Sequence, residues 1–550
     1  VSQSPVQMKK DTVEFTASAF KTKPNAVAED LLKKIPGIQV DKDGGIKAQG
    51  ETVQRVLVDG KRFFGDDPKM ATRNLPPDII DKIQVFDAAS DQSAFTGFDD
   101  GNRVKTINIT TRKDKRKGYF GRAALGAGAN SDDVLYDNNI NISKFNGDQQ
   151  ITFTGQANNV NKQNFSVQDM LGSLGGGGFG GGGGGRGGGG ITMGGGGGGL
   201  LGTGGGGGIV QTLAAGLNYK DNWGKKTQFS GSYFYNDQTT TRDQNSLTEN
   251  LVTGSTDSSI FSKQVQSSVT NNKNHRINFN IETNFDTSNT LIIRPNISFQ
   301  NTHSETFQTT SSTRGKIASL NSSRVNSIRD NQGINGSLEA TFRHRFAKKG
   351  RTYSIGLNSS YNTNDGSGSN WSQNQFNLPS RSYTDTLDQI YTTNRDGKNN
   401  SATLSYTEPI GKNKQIEFNY NISSNVNNSG RATQGYNKLT NDYDIAVPNL
   451  SNIFENTFNA NRVTVNYRVQ EAKYNFSIGS GLQVGNLVSK NISTNVNLKQ
   501  HFVNLFPSAN FRYDFTKSKN LRLFYNGRTS QPSAEQLQPV IDNSNPLLIR

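Results

Sequence analysis

Cysteine is absent from the 550 residues, so neither a disulfide framework nor a thiolate metal site is available. Long apolar runs are absent too. None approaches the ~18 residues of a membrane-spanning helix, which excludes helical spans. Histidine is scarce: His275, His303, His344 and His501 stand far from one another, and no zinc pattern remains. The chain opens on Val1 without a signal-peptide pattern, and this end reads as processed or cut. Only 31% of residues are hydrophobic, and the formal charge is +15, a balance typical of disordered, nucleic-acid-binding polypeptides. Against that stand 31 Phe and 17 Tyr, residues in which disordered tails are poor. The order of the residues decides the matter.

From about residue 118 onward the chain alternates with period two. Ile277, Phe279 and Ile281 share one face of a segment whose other face carries Asn278, Asn280 and Glu282. Ile416, Phe418, Tyr420 and Ile422 likewise oppose Gln415, Glu417, Asn419 and Asn421. Side chains that alternate in this way belong to strands. A soluble sandwich and a membrane barrel share this period, and the turns separate them. Short, polar and often basic turns centre near residues 147, 223, 287, 349, 412, 471 and 518. Roughly 50 to 75 residues lie between successive turns, room for two strands and one long polar loop. Short turns at one end and long loops at the other are the asymmetry of an outer-membrane barrel. A sandwich would place turn signals every ~8 to 12 residues at both ends. The expected fold is therefore mostly β, a transmembrane antiparallel β-barrel. Seven turns join fourteen strands and one more follows Asn520, about 15 in all. Bacterial barrels are even-numbered, so the C-terminal part of the barrel, residues 118–550, is expected to be incomplete.

Residues 172–208 contain 27 glycines. The phosphate-cradling pattern needs a Lys and a Ser or Thr after its glycines, and collagen needs a Gly-X-Y repeat; neither occurs here. Strand parity puts the tract between the third and fourth strands, as a mobile external loop with no assigned chemistry.

Before the barrel lies a small mixed region. A short helix is expected from Asn25 as its cap to the residues before Pro36. Strands are expected at Ile38 to Val40, Ile46 to Ala48, Val53 to Val58, Lys82 to Phe86 and Val104 to Thr110, with a helical turn after Asp67-Pro68. Residues 1–24 read as a segment leading from a missing upstream region.

The order Ile46-Lys-Ala-Gln-Gly50, then Val56-Leu-Val-Asp-Gly60, Asp67-Pro68 and Leu75-Pro-Pro-Asp-Ile-Ile-Asp-Lys-Ile-Gln-Val85 resembles the plug domain of TonB-dependent outer-membrane receptors. A late stretch, Arg528 to Pro546, is similar to the barrel family common among Bacteroidota. The segment from Phe86 to Ile109 departs from the pattern of many such receptors and suits that branch. The resemblance implies a small α+β plug, residues 25–117, inside a barrel of about 22 strands, about seven of which would follow Arg550. It implies import of a scarce ligand across the bacterial outer membrane, with outer-membrane lipid and the inner-membrane TonB complex as partners. The complex would act through a Ton box, and none is identifiable before Val6. The ligand class stays open among siderophore, cobalamin, peptide and glycan. The alternative is a barrel that serves as an adhesin or surface scaffold without active transport.

The resemblance places the turn after the Val-Asp-Gly strand at the plug apex. There Arg62, Phe63 and Phe64 would face the incoming ligand, with aromatic faces and a cation suited to apolar, aromatic or anionic groups. The other reading packs the two rings into the plug core or the barrel wall. No catalytic residues, metal ligands or cofactor are expected. Asp41-Lys-Asp-Gly-Gly lacks the glycine of a calcium loop at its sixth position, Ile46, and Asp43-Gly44 reads as a hairpin turn. Asp66-Asp67 and Asp99-Asp100 are adjacent loop residues rather than a catalytic pair. The basic run Arg112 to Lys117 has no interleaved aromatics, so it reads as a solvated linker with no nucleic-acid partner.

Overall fold

The structure is a computed structural model that describes residues 5–9, 12–23, 26–41, 44–62, 72–73, 75–97, 103–115, 117–131, 133–161, 208–251, 259–315, 318–378, 381–516, 519–527 and 529. Among the described residues its N-terminal part holds nine strands. β1 (Val6–Lys9) and β2 (Thr12–Thr16) come first, followed by helix α1 (Ala28–Leu32). β3 (Ile38–Val40), β4 (Ile46–Ala48) and β5 (Glu51–Thr52) form a small antiparallel sheet. β6 (Arg55–Val58), β7 (Lys61–Arg62), β8 (Ile80–Ala89), helix α2 (Asp91–Thr96) and β9 (Arg103–Thr111) complete the region. The larger sheet runs in the order β1-β2-β8-β9-β6-β7, and only the β6–β9 pair is parallel.

One core holds this region together. Phe15 on β2, Val56 and Val58 on β6, Ile83 and Val85 on β8 and Ile107 and Ile109 on β9 are buried against Ala28, Leu31 and Leu32 of α1. Each such aliphatic side chain contributes about 1.5–3 kcal/mol when fully buried. The strands expected at Ile38–Val40 and Ile46–Ala48 appear with those bounds, and the other three with boundaries moved by one to three residues. Four strands that the sequence reading leaves unassigned also appear: β1 and β2 at one edge of the larger sheet, β7 at its other edge, and β5 in the small sheet. The side chain of Asp30 accepts from the Val27 N–H at 3.0 Å and so caps α1; Asn25, the expected cap, lies outside the described residues.

The second sheet is far larger. It begins with β10 (Lys117–Ala129), β11 (Val134–Asn146), β12 (Gln149–Asn158), β13 (Ile209–Trp223) and β14 (Thr227–Asn250). It continues through β15 (Ile260–Asn284), β16 (Asn289–Arg314), β17 (Ala318–Arg345), β18 (Thr352–Leu378) and β19 (Arg381–Gly411). β20 (Lys414–Asn437), β21 (Asp442–Ala446), β22 (Asn452–Gln470), β23 (Tyr474–Asn491), β24 (Val496–Asp514) and β25 (Asn520–Asn526) follow. Each strand pairs antiparallel with its sequence neighbour, except that β21 is a side strand on β20 and β22 pairs β20 directly. The main path thus holds the fifteen strands expected, with the seven short turns where the sequence places them, and β10 and β25 stand at its ends.

A continuous row of exposed apolar residues crosses the sheet near its short-turn end. Ile355, Leu404, Tyr420, Val463, Leu482 and Leu505 are register neighbours on six strands, and all are exposed. Ser354 and Ser405, on the opposite face, are buried. Apolar outside and polar inside is the lipid-facing pattern.

The long polar loops expected at the other end are mostly absent, because the strands themselves continue. β19 has 31 residues and β17 has 28, against the ~10 that cross a bilayer. Only residues 379–380 separate β18 from β19. Beyond the lipid both faces meet water, so Asn, Gln, Ser and Thr occupy both and the period-two signal fades. The ladder persists through backbone bonds and through side-chain pairs such as Gln264–Gln308 at 3.1 Å and Thr270–Ser304 at 3.0 Å. The connection between the third and fourth strands of this sheet holds the glycine tract, which lies outside the described residues apart from Gly208.

Candidate functional site

The Val-Asp-Gly motif closes a two-residue hairpin between β6 and β7. Asp59 and Gly60 both have positive φ, 51° and 76°, as a primed hairpin turn requires. The Asp59 carboxylate accepts from the Thr111 N–H at 2.8 Å and from its hydroxyl at 2.7 Å, while the Gly60 N–H donates to Asn108 at 2.8 Å. The turn is therefore fixed to β9 on both sides. Arg62 ends β7, its backbone paired with Leu57. Its side chain, together with Phe63, Phe64, Asp66 and Asp67, lies outside the described residues.

From this turn a line of side-chain bonds crosses the sheet. The Asn108 amide donates to Gln84 at 2.8 Å, and Gln84 donates to Glu14 at 3.0 Å. Glu14 also accepts from Lys82 at 2.8 Å and Lys9 at 3.1 Å. Leu57, Asn108, Gln84 and Glu14 are register neighbours on four strands, so the line follows the pleat. The Lys82 hydrogen bond, with those of Gln84 and Lys9, pulls the Glu14 carboxyl down to about 2 against the opposing effect of burial.

The N-terminal region meets the large sheet through α2 and the strand before it. Ser90 caps α2 by accepting from the Ser93 N–H at 2.9 Å, and Gly97 ends it at φ 70°. Asp91 pairs with Arg294 at 2.6 Å, and the same guanidinium reaches Glu339 at 3.1 Å. Gln92 donates to the Ser354 hydroxyl at 3.0 Å. The guanidinium groups of Arg343 and Arg345 lie 5.3 and 4.9 Å from the Phe95 ring. Asp87 holds Lys105 at 2.6 Å and Arg522 of β25 at 3.3 Å. Burial works to raise the Asp87 pKa, but these two cations keep it below the ordinary carboxylate value. The partners on the large sheet, Arg294, Glu339, Arg343, Arg345, Ser354 and Arg522, lie on the face opposite the exposed apolar row, near the short turns. Most of these contacts are polar and replaceable by water, while Phe120 of β10 and Phe234 of β14 add apolar packing against the N-terminal core. The sequence reading missed α2, whose signal was a Ser-Asp start and a Gly stop six residues on.

Among the described residues no three His, Asp or Glu side chains converge as metal ligands, and no helix is long and apolar enough to cross a membrane. His303 instead pairs with Asp330 at 2.7 Å and Glu305 at 3.2 Å on the outer face.

Residues 344–550 match the outer membrane protein beta-barrel family. No curated protein matches the chain in sequence. Among solved structures, the siderophore receptor PiuA from Acinetobacter baumannii aligns at 10% identity over 94% of this chain and 92% of its own, with a TM-score of 0.25. The ferric-catecholate import receptor Fiu from E. coli K12 aligns at 9% identity over 94% and 92%, with a TM-score of 0.24. The alcaligin receptor FauA from Bordetella pertussis aligns at 9% identity over 96% and 93%, with a TM-score of 0.22. These superpositions are loose, and what those receptors bind is a property of theirs.

Proposed function

Starting from a bacterial outer-membrane β-barrel that resembles TonB-dependent receptors, we propose that this protein captures a scarce ligand at the cell surface and imports it across the outer membrane. In this reading residues 25–117 are the plug, residues 118–550 the barrel, and residues 172–208 an external loop. The plug apex, with Arg62, Phe63 and Phe64, contacts the ligand, and an inner-membrane TonB complex supplies the pull. The reading assigns no catalytic step. The observation that carries it is the set of separable polar contacts between α2 and the inner face of the large sheet. Such contacts hold a plug at rest without making its movement prohibitive.

None of the 550 residues is a cysteine, so an introduced thiol pair is unique within this stretch. In the full-length protein, Gln92→Cys and Ser354→Cys are joined by a short, reducible thiol crosslinker. Uptake is followed with ferric siderophores, cobalamin, peptides and oligosaccharides as probes. Crosslinking should stop uptake of the transported probe while leaving its surface binding intact, and reductant should restore uptake. Uptake unaffected by the crosslink would overturn the plug-movement reading. A protein that takes up no probe but supports attachment to surfaces would be the adhesin or scaffold.

A further inference from the structure

At its short-turn end one side of the large sheet carries charge of a single sign. The connections β17–β18, β19–β20, β22–β23 and β24–β25 hold six lysines and one arginine against a single acid, Glu471. The three earlier short turns are balanced, with Lys225 and Lys226 against Asp148 and Asp286. The acids beside the basic turns are already engaged. Glu408 on β19 is held by Lys348 at 2.6 Å and Arg351 at 2.7 Å, and Glu471 accepts from the Asn413 amide at 3.0 Å.

Four other lysines are exposed: Lys349, Lys412, Lys473 and Lys519. Among the described residues their ammonium groups have no hydrogen-bond, ion-pair or ring partner. Consecutive turns stand two strands apart on the sheet path, ~10 Å, so the four ammonium groups form an arc roughly 30 Å long.

The same turns expose apolar side chains. Phe346 stands beside the first, Ile410 beside the second, Tyr474 beside the third and Phe515 in the fourth, and all are exposed. The Phe346 ring lies 5.8 Å from Tyr353, and the Phe515 ring lies 4.9 Å from Tyr513. Tyr353 is two residues from Ile355, and Tyr474 is eight from Leu482, so these rings share the face of the exposed apolar row. They extend it to the water boundary, where aromatic residues anchor a membrane protein. A lysine just beyond them keeps its stem along the apolar surface and its charge at the level of the headgroups.

A soluble acidic partner would need the cations alone. Here each cation is coupled to an apolar neighbour on the lipid side, and that pair matches a phosphate joined to an acyl chain. We propose that the rim from β17 to β25 binds anionic phospholipid in the leaflet that meets the short turns, with Lys349, Lys412, Lys473 and Lys519 on the phosphates. The site needs only a barrel in its membrane and is independent of the import reading.

Full-length protein in detergent is mixed with equal amounts of phosphatidylglycerol, phosphatidylethanolamine and phosphatidylcholine that carry the same acyl chains. Retained lipid is counted by native mass spectrometry. Phosphatidylglycerol should be retained in preference, and less so as salt is raised. Combining Lys349→Gln, Lys412→Gln and Lys473→Gln should lower the preference by about fivefold per lysine removed. Lys263→Gln, at the far end of β15, should leave it unchanged. A heat-modifiable gel shift shows that each variant is folded. Equal retention of the three lipids, or a preference that survives the triple substitution, would overturn the proposal. A glutamate oligomer that binds more tightly than phosphatidylglycerol would make the rim a docking face for an acidic protein and would overturn it too.

Discussion

Glu14 is nearly buried between two lysines and a glutamine. Its carboxyl titrates near 2 in the folded protein, against an ordinary value of 4.5. A lowered folded-state pKa contributes stability that is fully present above the ordinary value and is lost as pH falls toward 2. Its size is on the order of 3 kcal/mol. The expected outcome is that protection of the β1–β2–β8 amides from hydrogen exchange declines from about pH 4.5 downward, and that Glu14→Gln lowers protection at neutral pH while flattening the decline. An unchanged pH profile in the variant would remove Glu14 from this role. The residue was hidden in the sequence for a physical reason: in Thr12-Val-Glu-Phe-Thr16 a charge occupies a buried position, and hydropathy cannot register the lysines, 68 residues away in one case, that make it tolerable.

Elements differed in how far they announced themselves. The β6–β7 hairpin was legible because its chemistry is local: only a few residue types accept the backbone of Asp59 and Gly60, and the sequence offers two of them. The anchor to Thr111 was not legible, since it is 52 residues away. Asp59→Ala should leave the buried Thr111 donors without these partners, at about 1–3 kcal/mol, and faster exchange at the Lys61 and Arg62 amides would report the frayed hairpin. If the proposed apex is right, ligand affinity falls in the same variant. Strand lengths were illegible for another reason. Alternation marks only the part of a strand that separates lipid from the interior, and β17 to β20 extend far past it.

For the whole molecule, the fifteen-strand path was readable from turn spacing, whereas the α2 contacts, which join residues more than 200 positions apart, were not. β12 and β13 are paired continuously from Gln150–Lys220 to Asn158–Thr212, flanking the glycine tract. Deleting residues 175–207 shortens the connection and, because loop-closure entropy changes slowly with length, leaves that pairing to form. The deleted protein should therefore keep the heat-modifiable gel shift of a folded barrel, and its loss would show that the tract is structural.

The edge position of β1 has a mechanical meaning. Val6 lies opposite Phe15 and Lys9 opposite Thr12, so the chain enters the β1–β2 hairpin at the end where β2 leaves it. Tension drawn on the entering chain loads these bonds one after another rather than together. In single-molecule pulling on the N-terminus, β1 should peel at low force ahead of the rest of the sheet; a single high-force rupture would contradict this geometry. The Lys9 ion pair with Glu14 sits at the far end of the hairpin and parts last. After that the load falls on β2, and through Glu14, Gln84 and Asn108 it reaches the Asp59-Gly60 turn. A steady pull would thus arrive at the far side of the sheet as a sequence of steps, the outer strand yielding before the β6–β7 hairpin is disturbed.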